Sequence, residues 1–136
     1  MSKILHEELS GKIIGAAMVV LNELKPGLDE KLYERALAIE LHRRGHAIEG
    51  QKRFPGFYLS EWIGDLAPDL IVDNTIIVDS KVVAAFNEAH IAQMAGYLAI
   101  SGLEVAILLN FKSSRLEWRR VVRQRKIPSD PPDFHA

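Results

Sequence analysis

Asp69, Asp79 and Lys81 flank the apolar arms of the stretch Pro68-Asp69-Leu70-Ile71-Val72-Asp73-Asn74-Thr75-Ile76-Ile77-Val78-Asp79-Ser80-Lys81. Val, Ile and Leu fill both arms, and Asp73-Asn74 between them tolerates the positive φ of a two-residue turn, so the stretch predicts a β-hairpin. Strand alternation puts Asp69, Ile71 and Asp73 on one face of the first arm and Ile77, Asp79 and Lys81 on one face of the second. Charges set in apolar strands cost on the order of several kcal/mol unless they are paired or bind a metal. Two carboxylates aimed at one point make a hard oxygen site for Mg²⁺ or Mn²⁺, which takes few carboxylates and keeps waters for a phosphate substrate. The same residues also read as an ordinary Asp79–Lys81 ion pair beside a surface Asp69.

The elements around this hairpin follow from periodicity and breakers. From about Glu8 to Leu24, Leu9, Ile13, Ala17, Val20, Leu21 and Leu24 recur at helical spacing. The small or adaptable Gly15, Ala16, Ala17 and Met18 let that helix approach either the body of the fold or a second subunit closely. Pro26-Gly27 breaks it. Asp29 then predicts the N-cap of a second helix to about Arg44, stopped by Gly45, with Leu32, Tyr33, Ala36, Leu37, Ile39, Glu40 and Leu41 on its inner side. Glu30 opens the face that Leu37 buries, either as a first-turn acid favoured by the helix dipole or as a third carboxylate aimed at the hairpin.

His46 to Phe54 reads as a strand paired across Pro55-Gly56 with Phe57 to Ile63, and Gln51 is its notable polar residue. Asn87 to Ser101 reads as a helix stopped by Gly102, carrying a polar stripe of His90, Gln93 and Tyr97 that faces either solvent or a site. Glu104 to Phe111 is a strand buried on both faces, and Leu116 to Val122 flanks it; the strand–helix–strand order implies a crossover. From Arg123 the chain turns to Arg, Pro, Ser and Asp, so residues 1–122 predict one domain and 123–136 a loose tail.

At 136 residues, 48% hydrophobic and 26% charged, the chain has the composition of one globular domain. Zero cysteines exclude disulfides, a thiolate zinc site and a cysteine-ligated iron–sulfur cluster, and suit a cytoplasmic setting. Ile13 to Leu21, the longest apolar run, is too short to span a bilayer, and Glu7 and Glu8 precede it where a secretory signal carries positive charge. The net charge of −1 hides a cationic segment. Residues 112–126 hold seven Lys or Arg, Arg115 and Arg119 among them, against Glu117 alone, which suits either a phosphate-backbone partner or a charge-protected edge strand. No Walker loop, GxGxxG or serine-nucleophile elbow is present.

Pro68-Asp69 followed by Asp79-Ser80-Lys81 resembles the PD-(D/E)XK nuclease signature, and Gly27-Leu28-Asp29-Glu30-Lys31-Leu32-Tyr33 resembles the motif that names the GxxExxY family. The likeness extends through Ala36-Leu37, Glu40-Leu41, Arg44-Gly45, Gln51, Gln93, Tyr97-Leu98 and Leu108-Leu109-Asn110-Phe111. It implies an α/β (α+β) restriction-endonuclease-like core, a mixed central sheet flanked by helices, similar to that of RecB- and Cas4-like nucleases. It also implies metal-dependent hydrolysis of DNA or RNA phosphodiesters. Glu30, Asp69, Asp79 and Lys81 would be the catalytic residues, with Asp69, Asp79, the Ser80 carbonyl and Glu30 around Mg²⁺ or Mn²⁺. Gln93, Tyr97, Gln51, Arg115 and Arg119 would hold the nucleic acid. The family usually carries Glu where this chain has Asp79. Two other classes fit the same fold: a catalytically silent nucleic-acid-binding module, and a small protein-interaction subunit that relies on the first helix, as a homodimer would.

Overall fold

The structure, a computed structural model, describes residues 5–124. Apolar residues at helical spacing form α1 (Glu7–Leu24), which buries Ile13, Ala16, Ala17, Val20 and Leu21. After the Pro26-Gly27 break, α2 (Glu30–Arg43) buries Tyr33, Glu34, Leu37 and Leu41. Leu32 and Ile39, expected inside, are 45% and 62% exposed. The helix has turned so that Glu34, between two core residues, takes the inward position.

Three strands follow as β1 (Ile48–Gly50), β2 (Phe54–Tyr58) and β3 (Glu61–Leu66), then the hairpin β4 (Leu70–Val72) and β5 (Ile76–Lys81). The long strand expected over His46 to Phe54 is broken at Gln51, which takes φ 56°. β1 pairs with β4, not with the strand that follows it. β2 and β3 form a separate antiparallel ribbon whose turn is Leu59-Ser60, at φ 49° and 67°, while Pro55 and Gly56 lie inside β2 opposite Asp65 and Gly64. Pro-Gly is the commoner turn signal, but proline is tolerated on an edge strand because no neighbour needs its missing N–H.

The β4–β5 hairpin is present, with Asp73 and Asn74 at φ 51° and 52° and the Thr75 N–H donating to the Val72 carbonyl at 2.9 Å. Val72 pairs with Ile76, so the loop has three residues where two were expected. α3 (Glu88–Ser101) then crosses over to β6 (Val105–Asn110), parallel to β5, and β7 (Glu117–Val122) returns antiparallel along β6. The main sheet runs β1-β4-β5-β6-β7, a mixed and mostly antiparallel sheet.

Alternation along the central strands divides the core. Leu70, Val72, Ile76, Val78, Ile107 and Leu109 pack under α1 and α2, and Ile71, Ile77, Ala106 and Leu108 pack under Met94 and Leu98 of α3. β5 and β6 are therefore covered on both faces, and each fully buried Leu or Ile contributes about 1.5–3 kcal/mol. Among the described residues no helix is long and apolar enough to cross a membrane. Most of the tail expected from residue 123 lies outside the described residues.

Candidate functional site

β4 begins at Leu70, and its pairing of Leu70 with Val78 and Ile71 with Ile77 leads Asp69 to a place opposite Asp79. β5 continues past that point to Lys81 with β6 as its ladder partner. The β4 side of residues 79–81 is thus left open beside Asp69. Asp79 and Ser80 are 3% and 1% exposed, so the charge of Asp79 is held where water cannot screen it.

Lys81 Nζ stands 2.9 Å from Asp79 Oδ2. This close ion pair is the one contact that reaches Asp79 Oδ2 among the described residues. On its other side Nζ donates to Gln93 Oε1 at 3.4 Å, and Gln93 Nε2 donates to the Tyr97 hydroxyl at 3.1 Å. Gln93 and Tyr97 sit one turn apart on α3, so one helix face and one strand end assemble the row Asp79, Lys81, Gln93, Tyr97. His90 does not join it. Its backbone N–H donates to Asn87 Oδ1 at 2.9 Å while its Nδ1 accepts from the Asn87 N–H at 3.1 Å, closing a capping box at the start of α3.

The electrostatics are those of crowded acids. Desolvation, then the hydrogen bond and charge of Asp79, push the Asp69 carboxyl up to about 7, with Glu34 and Lys31 acting the other way. Burial also raises Glu34, partly offset by Lys31. For Lys81 burial pulls downward, but the adjoining Asp79 carboxylate prevails and its pKa is raised. Burial and the charges of Asp79 and Asp69 raise Tyr97.

Glu30 is exposed on the first turn of α2, and its Oε1 accepts from the Val82 N–H at 3.2 Å, just past β5. Asn110 holds the next residue: its side chain accepts from the Val83 N–H at 3.2 Å and donates to the Val83 carbonyl at 2.8 Å. Glu34 is the residue that the sequence reading missed. It lies four positions after Glu30, is 7% exposed, and shares a cleft with Asp29, Glu30, Lys31 and Asp69. An acid flanked by Tyr33 and Leu37 at helical spacing was the available signal.

Among the described residues no three carboxylates or imidazoles are gathered at ligand distance in this arrangement. Two ammonium groups stand at the acids instead, Lys81 on Asp79 and Lys31 on Glu34, at 2.9 Å each. The donor set still fits a hard divalent cation, because buried Glu34 Oε1 has no hydrogen-bond partner, Asp79 Oδ2 has only the Lys81 ammonium beside it, and Asp69 lines the Glu34 cleft opposite Asp79.

A sequence model of the PD-(D/E)XK nuclease superfamily matches residues 7–121. The chain belongs to this superfamily. No curated protein matches it. Among solved structures it is similar in fold to an alkaline exonuclease from Laribacter hongkongensis, at 13% identity and a TM-score of 0.52, covering 91% of this chain and 73% of that one. A structure of the same exonuclease in complex with dAMP is similar at 12% identity and a TM-score of 0.49, covering 87% and 83%.

Within this PD-(D/E)XK fold the remaining candidates fall in different places. Gln51 approaches the site through its backbone, whose N–H donates to the Asp69 carbonyl at 3.2 Å, and its side chain is exposed. Arg119 pairs with Leu108, which pairs with Asp79, so it occupies the row of Asp79 two strands away, about 10 Å at the usual strand spacing. Arg115 precedes β7 and lines a groove with Met18, Leu21 and Trp118 of the α1 side. β7 starts at Glu117, so strand alternation does not carry Arg115 onto the face of Arg119. Arg120 is held by the Leu5 carbonyl at the start of α1.

Proposed function

We propose that this chain is a metal-dependent nuclease of the GxxExxY type with a RecB/Cas4-like core, hydrolysing phosphodiesters of DNA or RNA with Mg²⁺ or Mn²⁺. The observation that supports it best is the Asp69–Asp79 pair, two acids that the β4–β5 register sets opposite each other on the open β4 side of β5, where burial and then Asp79 push Asp69 up to about 7. A bound divalent ion supplies a water of lowered pKa and offsets charge on the scissile phosphate.

Asp69, Asp79 and the Ser80 carbonyl would hold that ion. Lys81, positioned by Asp79 and Gln93, places an ammonium donor beside it to orient the phosphate and the attacking water. Gln93 and Tyr97, already hydrogen-bonded to each other, present an amide and a hydroxyl to the substrate backbone. Arg119 adds a cation farther along the same row. The cysteine-free composition suits the reducing cytoplasm.

A panel of single- and double-stranded DNA and RNA, incubated with Mg²⁺, Mn²⁺ or EDTA, tests the reading. It predicts cleavage of at least one substrate in metal and none in EDTA; no cleavage of any substrate by well-folded protein contradicts it. A second reading has its own support. Phe57, Tyr58, Leu59, Trp62 and Ile63 are 60–78% exposed on the β2–β3 ribbon, a surface that suits a protein-interaction subunit with the nuclease fold. That reading predicts no cleavage, and salt-insensitive association where the nuclease reading predicts salt-sensitive nucleic-acid binding.

A further inference from the structure

We propose that Glu34, and not Glu30, is the helix carboxylate that completes the cation site of Asp69 and Asp79, and that Glu30 positions the backbone leaving β5. The inference rests on the metal-dependent reading of this site. Both acids lie on one face of α2, a turn apart, yet their surroundings differ. Glu30 is exposed and is already engaged with the Val82 N–H. Glu34 lines the same cleft as Glu30 and Asp69, but it is 7% exposed and its Oε1 has no partner.

The helix itself gives no reason for an acid at this position. Tyr33 and Leu37 fill the core on either side, and the fold retains a buried carboxylate where an apolar residue would pack without desolvation cost. Its other oxygen, Oε2, is met by Lys31 Nζ at 2.9 Å from the exposed side of the helix. A surface lysine on a flexible stem is a countercharge that a cation can replace, because it swings to solvent without disturbing the core. Asp69 lines the same cleft as Glu34 and, by the β4–β5 register, stands opposite Asp79. α2, the start of β4 and the end of β5 each supply one carboxylate near Asp69, an oxygen-only set of the kind Mg²⁺ and Mn²⁺ prefer once a cation draws the three to ligand distance.

Calorimetric titration of the 136-residue chain with Mn²⁺, in parallel with thermal unfolding, distinguishes the two acids. Glu34→Gln keeps the shape and removes the charge, and is expected to weaken Mn²⁺ binding at least tenfold and remove most of the Mn²⁺-induced rise in Tm. Glu30→Gln is expected to leave Mn²⁺ affinity within twofold. Glu34→Asp retains the charge but retracts it by one methylene, and should also weaken Mn²⁺ binding several-fold, which a residue acting only through overall charge would not do. Equal affinity in Glu34→Gln and the wild type, or a tenfold loss in Glu30→Gln, overturns the assignment. Absence of any Mn²⁺ response in the folded wild type overturns the metal-dependent reading and this inference together.

Discussion

Tyr33 lies flat on Phe111, with ring centroids 4.7 Å apart and planes 7° from parallel. The ring buries fully while its hydroxyl donates to the Lys25 carbonyl at 2.6 Å and accepts from the Leu28 N–H at 3.1 Å. One side chain thereby anchors α2 to the end of β6 and closes the Pro26-Gly27 loop that sets where α2 begins. The tyrosine of the Gly-x-x-Glu-x-x-Tyr motif is thus a positioning residue for Glu30 and Glu34, and it touches no part of the cleft itself.

Tyr33→Phe keeps the stack and removes both loop bonds, so it should cost about 1–3 kcal/mol. Tyr33→Ala should cost about 3–5 kcal/mol by leaving a cavity against Phe111. Denaturant unfolding measures both. Equal losses in the two variants would show that the ring contributes nothing beyond the hydroxyl.

Asp69 gives the metal-free protein a pH dependence with a definite sign. Its folded pKa is raised from 3.8 to about 7, so between those values the native state binds more protons than the unfolded state. Stability then falls as pH rises through this window and levels off above it. Tm in EDTA should therefore decline from about pH 4.5 to pH 7.5 by more in the wild type than in Asp69→Asn. Parallel profiles for the two proteins would place the buried proton elsewhere.

Asn110, at the end of β6, is 2% exposed and bonds the Val83 N–H and carbonyl, the Lys112 N–H and the Glu117 carboxylate. Asn110→Ala leaves these groups without that partner at the chain exit after Lys81, at a cost of about 2–4 kcal/mol. Because Lys81 is positioned by that exit, cleavage should fall by more than the loss of folded protein explains. Circular dichroism and activity measured on the same sample separate the two effects.

Arg119 and Arg115 should behave differently toward nucleic acid. If Arg119 meets a phosphate, Arg119→Ala reduces the slope of log affinity against log salt by about 0.7–0.9. Arg115→Ala, in the groove beside α1, should leave the slope unchanged. An equal reduction in both variants would contradict the separation of the two side chains by β7.

Much of this arrangement was legible because periodicity and hydrophobic patterning act locally. The three helices, the doubly buried β6 and the hairpin turn at Asp73-Asn74 all carry their own signals in sequence. What escaped depended on tertiary choices. Pro55-Gly56 looks like a turn, but Leu59-Ser60 reverses the ribbon, and after Gly50 it is the non-glycine Gln51 that takes the left-handed backbone ending β1. Glu34 escaped because an acid is expected to face water, and helix periodicity alone cannot distinguish a rotation that buries it from one that buries Leu32 and Ile39. His90 carried the same ambiguity in reverse, a polar group that serves the helix cap and not the site.

In the proposed reaction Asp79 and Lys81 act with a divalent ion on a phosphodiester. The most direct test is cleavage of the best substrate in the panel by the wild type, Asp79→Asn and Lys81→Ala across a Mn²⁺ titration, with EDTA as the zero point. The expected result is no cleavage in EDTA, saturable activation by Mn²⁺ in the wild type, and at least about a hundredfold loss in each variant with the fold intact, on the order expected when a catalytic electrostatic group is removed. Cleavage that survives EDTA, or an Asp79→Asn variant as active as the wild type, would contradict it.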